Sequence, residues 1–243
     1  MVPQPLESGR VKAIVLAAGV GSRLGALTET TPKCLLPVGG RPLLDYWFDA
    51  LAGAGVNHAL INLHHHADQV RAYLQARTQG IRVETLFEPD LLGSAGTVRR
   101  AWDFVSGDED FFIVYADNFS TVDLDRLHAF HRSKGNPCLT LVAYPTDEPH
   151  RCGIVELDDD GRVVSFEEKP AHPKSNFANS GIHVAGAGLY DYLPDHAPAD
   201  LGFHVLPRLV GKMYGYVTDE YVQDIGTPET YNRVQRLFEG GPH

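Results

Sequence analysis

The segment Lys12 to Ala18 (KAIVLAA) is an almost unbroken apolar run, the pattern of a strand buried on both faces. Phe111 to Ala116 (FFIVYA) repeats it and ends at Asp117. Val56 to Leu63 and Ile81 to Phe87 also read as strands. Between them the periodicity changes to that of helices. From Pro42 the apolar set Leu43, Leu44, Trp47, Phe48 and Leu51 has helical spacing, and Gly53-Ala54-Gly55 ends it. Ala67 to Arg77 places Val70, Tyr73 and Leu74 on one face, and Ser94 to Val105 and Asp123 to Lys134 read as two more helices. Strand and helix alternate throughout this half, which predicts a parallel sheet with helices on both faces.

After residue 137 the pattern changes. Cys138 to Tyr144 is strand-like, and Gly153 to Leu157 and Arg162 to Glu167 flank the hairpin turn Asp158-Asp159-Asp160-Gly161. Gly181 to Val184 and Tyr214 to Asp224 read as further strands. Thr227 to Phe238 reads as a closing helix, with Thr227 as N-cap and Pro228 in the first turn. The expectation is a single α/β domain over residues 11–243, after a flexible lead of residues 1–10. Residues 11–136 form a nucleotide-binding half and residues 137–243 a mixed β half.

Composition narrows the function classes. With 21 basic and 31 acidic residues the formal net charge is −10, which argues against a nucleic-acid partner held by phosphate contacts. Cys34, Cys138 and Cys152 are widely spaced and form no C-x-x-C, so neither a disulfide framework nor a thiolate zinc site is expected. No apolar run reaches the ~18 to 20 residues of a membrane helix. Met1 to Arg10 contains Pro3 and Pro5 and lacks the apolar core of a signal peptide, so a cytoplasmic protein is expected. His64-His65-His66 sit at a strand end, where alternate residues point to opposite faces, and no H-E-x-x-H occurs, so they are not expected to chelate.

The long loop Gly19 to Pro37 carries the candidate chemistry. Glycines directly after a buried strand expose backbone N–H groups able to cradle phosphates, and Arg23 and Lys33 add cationic donors. The dinucleotide fingerprint G-x-G-x-x-G fails at Leu24. The P-loop is absent, since the one Gly-Lys pair, Gly211-Lys212, is followed by Met213.

Over Lys12 to Pro42 the sequence LAAGVGSRLGALTETTPKCLLPVGGRP resembles the signature of the sugar-1-phosphate nucleotidyltransferases. The resemblance continues in order through LLGSAGT (Leu91–Thr97), YADN (Tyr115–Asn118), FEEKP (Phe166–Pro170), NSGI (Asn179–Ile182) and VQDIGTPETY (Val222–Tyr231). Two positions depart from the pattern: Ser94 replaces the usual threonine, and Ala116 the glycine before the metal aspartate.

The resemblance implies a Rossmann-like, mostly parallel sheet with helices on both faces and a mixed β sugar-binding half. It implies transfer of a nucleoside monophosphate from a triphosphate to a sugar 1-phosphate, with small-molecule substrates and Mg²⁺ as cofactor. Leu16, Ala17, Ala18, Gly19, Gly21, Ser22, Arg23, Glu88, Gly93 and Ser94 would bind the nucleotide. Gly153, Glu168, Lys169 and Asn179 would bind the sugar phosphate. Arg23, Lys33, Asp117 and Asp224 would be catalytic, with both aspartates on the metal. Many relatives that use uracil or thymine carry glutamine where Glu88 stands. An ionised carboxylate only accepts hydrogen bonds, and guanine offers an N1–H and N2–H₂ donor pair, so Glu88 favours GTP; within the family resemblance the expected acceptor is a mannose- or heptose-type sugar 1-phosphate. A thymidylyl- or uridylyltransferase is the alternative, with a phosphocholine cytidylyltransferase further behind. A catalytically silent sensor would be expected to lose Arg23, Lys33, Asp117 or Asp224, and all four are present. Relatives form dimers and tetramers, so a homo-oligomer stays open.

Overall fold

The computed structural model describes residues 11–77 and 80–239. The first half runs β1 (Val11–Leu16), α1 (Ala26–Glu29), a hairpin of β2 (Pro37–Val38) and β3 (Arg41–Pro42), then α2 (Leu43–Gly53) and β4 (Val56–Leu63). It continues through α3 (Ala67–Ala76), β5 (Arg82–Phe87), α4 (Gly93–Arg100), α5 (Trp102–Val105), β6 (Asp110–Tyr115), β7 (Asn118–Ser120) and α6 (Leu124–Ser133). The second half contains β8 (Leu139–Pro145), β9 (Gly153–Leu157), β10 (Val163–Glu168), β11 (Phe177–Gly186), β12 (Met213–Val217), β13 (Val222–Asp224) and α7 (Pro228–Gln235).

The strands β5, β4, β1 and β6 lie side by side and parallel. Register places Leu16 opposite both Asn62 on β4 and Tyr115 on β6. The carboxyl ends of three neighbouring strands therefore finish together, where open α/β sheets seat their ligands. Strand β11 joins antiparallel to β6, β8 pairs antiparallel with β11, and β12 runs parallel to β8. The β9–β10 hairpin attaches through Phe177 and Ala178 at the start of β11.

The apolar run of β1 is explained by its neighbours. Ala13 and Val15 pack into one core with Leu44, Phe48 and Leu127, and Ile14 and Leu16 into a second core with Ala95, Val98 and Leu201. Both faces of the sheet are covered from Ala13 to Leu16, and the strand's one charged residue, Lys12, lies near its start, where it pairs with Asp108 at 3.0 Å.

Three local expectations differ from the structure. The helix expected over Ser94–Val105 breaks at Ala101, which turns Trp102 between the rings of Phe111 and Tyr190. The strand expected over Tyr214–Asp224 is two strands. Its second part, β13, leaves the main sheet and pairs with β7, Asp224 standing opposite Asn118. The closing helix is α-helical only to Gln235 and then tightens over Arg236–Phe238. Its N-cap is Thr227, whose hydroxyl accepts from the Thr230 N–H at 3.2 Å while the Thr230 hydroxyl accepts from the Thr227 N–H at 3.1 Å. Among the described residues no helix is long and apolar enough to cross a membrane.

Candidate active site

A cleft of about 270 Å³ opens over the carboxyl ends of β1, β4, β5 and β6. Leu16, Ala17, Ala18, Gly19, Glu88, Gly93 and Ser94 line it, together with Lys33 and Asp117. Gly21 and Ser22 line neither this cleft nor the one beside it. They begin the turn that carries Arg23, which is 61% exposed and borders a third cavity.

Asn62 and Thr97 escaped sequence reasoning, and they organise the floor of the cleft. Asn62 accepts from the Ala17 N–H at 2.7 Å and donates to Glu88 Oε1 at 2.9 Å and to Thr97 Oγ1 at 3.1 Å. The Thr97 hydroxyl donates to the same Glu88 oxygen at 2.6 Å, and the Leu92 N–H reaches Oε2 at 3.2 Å. Glu88 is only 1% exposed. Its Oε1 already accepts twice, and Oε2 accepts once and keeps an open acceptor position. The available signal was Asn62, a lone polar residue inside the apolar stretch ALINL.

Lys33 is 6% exposed, and its ammonium stands between two carboxylates, 3.0 Å from Asp117 Oδ2 and 2.8 Å from Asp224 Oδ1. Asp117 lies in the turn between β6 and β7, and the β7–β13 ribbon brings Asp224 back beside it, where the Ile225 N–H donates to the Asp117 carbonyl at 3.2 Å. Arg23 reaches Asp224 Oδ2 only at 3.5 Å. Both aspartate side chains remain substantially exposed, at 39% and 47%. Two carboxylates converging on one cation, with open edges, form a hard-oxygen donor set that suits Mg²⁺, which binds one or two carboxylates and takes its other ligands from water and substrate phosphates. Among the described residues no group of three or more metal-ligating side chains exists.

The second cleft, about 360 Å³, adjoins the first and shares Ser94, Tyr115, Asp117 and Asp200 with it. Gly153, Glu168, Lys169 and Asn179 all line it, as does Asp224. The Glu168 carboxylate is held between two glycines: a Cβ on Gly153 or on Gly202 would stand 2.6 or 2.5 Å from Glu168 Oε2. Burial raises the Glu168 pKa, with Lys169 opposing and Asp200 adding to the rise. Lys169 adopts a left-handed φ of 51°, an uncommon conformation for a side-chain-bearing residue and one that recurs at functional sites. Its ammonium lies 5.7 Å from the centre of the Phe203 ring. Tyr144 also lines this cleft, as do Arg151, Asp200 and Phe203, the last three not anticipated from the sequence. The segment around Asp200 carries no periodic pattern. It is positioned by the Ala199 carbonyl, which accepts from the N–H groups of Ala95 and Gly96 at 2.8 and 3.1 Å.

The profile of the nucleotidyl transferase family matches residues 12–239, and the chain belongs to that family. It is 31% identical to a mannose-1-phosphate guanylyltransferase of Mycobacterium tuberculosis over 94% of its own length and 64% of that relative's. It is 29% identical to a D-glycero-alpha-D-manno-heptose 1-phosphate guanylyltransferase of Aneurinibacillus thermoaerophilus, covering 94% of this chain and 99% of the relative. A glucose-1-phosphate thymidylyltransferase of Streptomyces antibioticus is 31% identical over 93% of this chain and 65% of its own. The chain thus spans under two thirds of the mycobacterial and Streptomyces relatives and nearly all of the Aneurinibacillus one. Among solved structures, a Bacillus anthracis protein in complex with a sucrose superposes with a TM-score of 0.85 at 23% identity, covering 96% of this chain and 97% of that one. Yersinia pseudotuberculosis HddC complexed with GMP-PN gives 0.77 at 24% identity, covering 94% and 100%. These two likenesses establish the fold, a large sheet flanked by helices.

Proposed function

We propose that the chain transfers a nucleoside monophosphate from a nucleoside triphosphate to a sugar 1-phosphate and releases pyrophosphate. The observation that carries this reading is Lys33, held by Asp117 and Asp224 where two adjoining clefts meet. A sugar-phosphate oxygen is already an anion, so its attack on the α-phosphorus needs alignment and charge neutralisation more than a general base. The new P–O bond forms as the bond to the β-phosphate oxygen breaks, and pyrophosphate leaves with that electron pair.

In this reading the first cleft holds the base and ribose, and the backbone after β1 approaches the triphosphate. Lys33 stabilises charge that grows at the α-phosphate, and Arg23 reaches the β and γ phosphates. Glu168 accepts from sugar hydroxyls, while Lys169 and Asn179 meet the sugar phosphate. Asp117 and Asp224 are the residues that would hold Mg²⁺, which supplies neutralisation of phosphate charge when bound.

We take GTP as the triphosphate and a mannose- or heptose-type sugar as the acceptor. Two guanylyltransferase relatives and an acceptor-only side chain at position 88 support this. The internal bonding of Glu88 favours a second reading. One open acceptor position on Oε2 matches the single N3–H of uracil or thymine, and a thymidylyltransferase is among the relatives. A matrix of GTP, UTP, dTTP, CTP and ATP against mannose, heptose and glucose 1-phosphates, scored by pyrophosphate release, decides. The expected result is highest turnover with GTP. A tenfold advantage for UTP or dTTP would reverse the assignment of the base, and no turnover with any pair would overturn the activity.

A further inference from the structure

We infer that His183 is a positioning residue that locks the amide of Asn179, so that this side chain presents its NH₂ donors, and not its carbonyl, to the second cleft. The inference rests on the proposed reading of that cleft as the sugar-phosphate site.

In a regular strand two residues four apart are separated by about 13 Å and cannot touch through short side chains. Strand β11 is not regular there. Its register against β8 shifts between Asn179 and His183, and Gly181 takes a φ of 77°. The carbonyl of Ser180, inside the bulge, accepts from Asn118 Nδ2 at 2.6 Å, and a Cβ at Gly181 would meet the Tyr115 ring at 3.0 Å. This bulge folds the chain so that Asn179 Oδ1 lies 3.0 Å from His183 Nε2.

The same geometry settles which way the amide points. The Gly181 backbone N–H, which can only donate, faces the same Asn179 atom at 3.2 Å, so that atom is the carbonyl oxygen. His183 Nε2 must therefore carry a hydrogen and donate to it. The other amide substituent, Nδ2 with two hydrogens, has no partner among the described residues, and Asn179 lines the cleft beside Lys169 and Gly153. Glu168, Asp117 and Asp224 on the same walls are acceptors. A phosphate or hydroxyl oxygen needs donors, and Asn179 held this way adds them to Lys169.

The position has a cost that a purely structural residue would avoid. His183 is fully buried, and its Nδ1, which carries no hydrogen in this tautomer, finds no donor among the described residues. Burial drives the imidazole pKa down to about 3, so the ring stays neutral in this one tautomer near neutral pH. An apolar side chain of similar size would remove an orphaned buried acceptor. Only the Nε2–H bond to Asn179 offsets that liability.

His183→Phe removes the donor and the orphaned atom together. The expected result is a KM for sugar 1-phosphate raised roughly five- to tenfold, the scale of one misdirected hydrogen-bonding group. The triphosphate KM and kcat should stay within about twofold on the same reasoning. The melting temperature should not fall. His183→Gln, whose amide nitrogen reaches the place of Nε2, should restore the KM. In an Asn179→Ala background His183→Phe should add nothing, because the group it positions is gone. If phenylalanine proves too wide to fold, His183→Met makes the same comparison.

Several outcomes would overturn the inference: a KM increase equal for both substrates, a full His183→Phe effect on top of Asn179→Ala, or no rescue by glutamine. An active wild type whose sugar KM is unmoved by His183→Phe sinks this inference alone. A wild type without turnover on any substrate pair sinks the proposed function and this inference with it.

Discussion

Asp117→Asn and Asp224→Asn are each expected to lower kcat by about 10²-fold, the scale of removing one electrostatic stabiliser from a transition state. The double variant should be little worse than either single. The structural reason is that both carboxylates contact the same ammonium, Lys33 Nζ, at 3.0 and 2.8 Å. Groups that share one partner do not contribute independently. Independent groups would multiply to about 10⁴-fold, or ~5.4 kcal/mol, whereas a shared unit stays near ~2.7 kcal/mol, at 1.36 kcal/mol per factor of ten. Folding should survive each change. The remaining aspartate still neutralises the buried Lys33, and the lost carboxylates are partly solvent-screened, so a stability cost of about 1 kcal/mol or less is expected. The assay is initial-rate pyrophosphate release at saturating substrates, repeated across a magnesium titration. Both singles should need more Mg²⁺ for half-maximal rate. If Asp224→Asn keeps the wild-type rate and Mg²⁺ dependence while Asp117→Asn is dead, Asp224 serves only to shape the β7–β13 ribbon. A double variant slower by about 10⁴ would show two separate roles and refute the shared-unit reasoning.

Lys33→Ala should lower kcat by ~10² to 10³ while the triphosphate KM moves little, because the proposed contact strengthens as charge grows at the α-phosphate; a large KM effect at normal kcat would reassign Lys33 to ground-state binding. Gly202→Ala places a Cβ 2.5 Å from Glu168 Oε2 and should displace that carboxylate, raising the KM for sugar 1-phosphate but not for the triphosphate; equal effects on both in steady-state kinetics would contradict this. Stability should fall with acid. His131 and His183 titrate at about 4 and about 3 in the folded protein, both lowered by burial from the ordinary 6.5. Between those values the unfolded chain binds the extra protons, so stability is complete above about pH 6.5 and declines below it. At pH 5 each histidine should cost ~2 kcal/mol, from 1.36 kcal/mol per pKa unit. Urea denaturation at pH 7 and pH 5 measures this, and a pH-dependent loss that is unchanged in His183→Phe would count against the buried, neutral ring.

The elements of this protein were largely legible along the chain because each is specified by its immediate neighbours. The unbroken apolar runs at residues 12–18 and 111–116 became central strands, since a strand covered by helices on both faces has no polar side to display. Thr227 and Pro228 marked the start of α7 through chemistry confined to one helical turn. The loop glycines, Lys33 and the two aspartates stood out as family motifs. Short or irregular pieces were not legible. Strand β7 spans only Asn118–Ser120 and has no periodicity to read, and the segment bearing Asp200 is shaped by hydrogen bonds to α4 and not by its own pattern.

Tertiary structure decided where these residues meet. Asp117 and Asp224 belong to segments far apart in sequence, and only the pairing of β7 with β13 sets them on either side of Lys33. Glu88 reads in sequence as a free acceptor, yet Asn62 and Thr97 from two other elements take one of its oxygens. Asn179 reads as an amide free to point either way, until the bulge at Gly181 and the ring of His183 hold its carbonyl. Periodicity records which side of a strand or helix leaves water, a property each short segment carries by itself. The partner of a polar group depends on which distant segment the packed core brings within about 3 Å, and no single segment contains that distance.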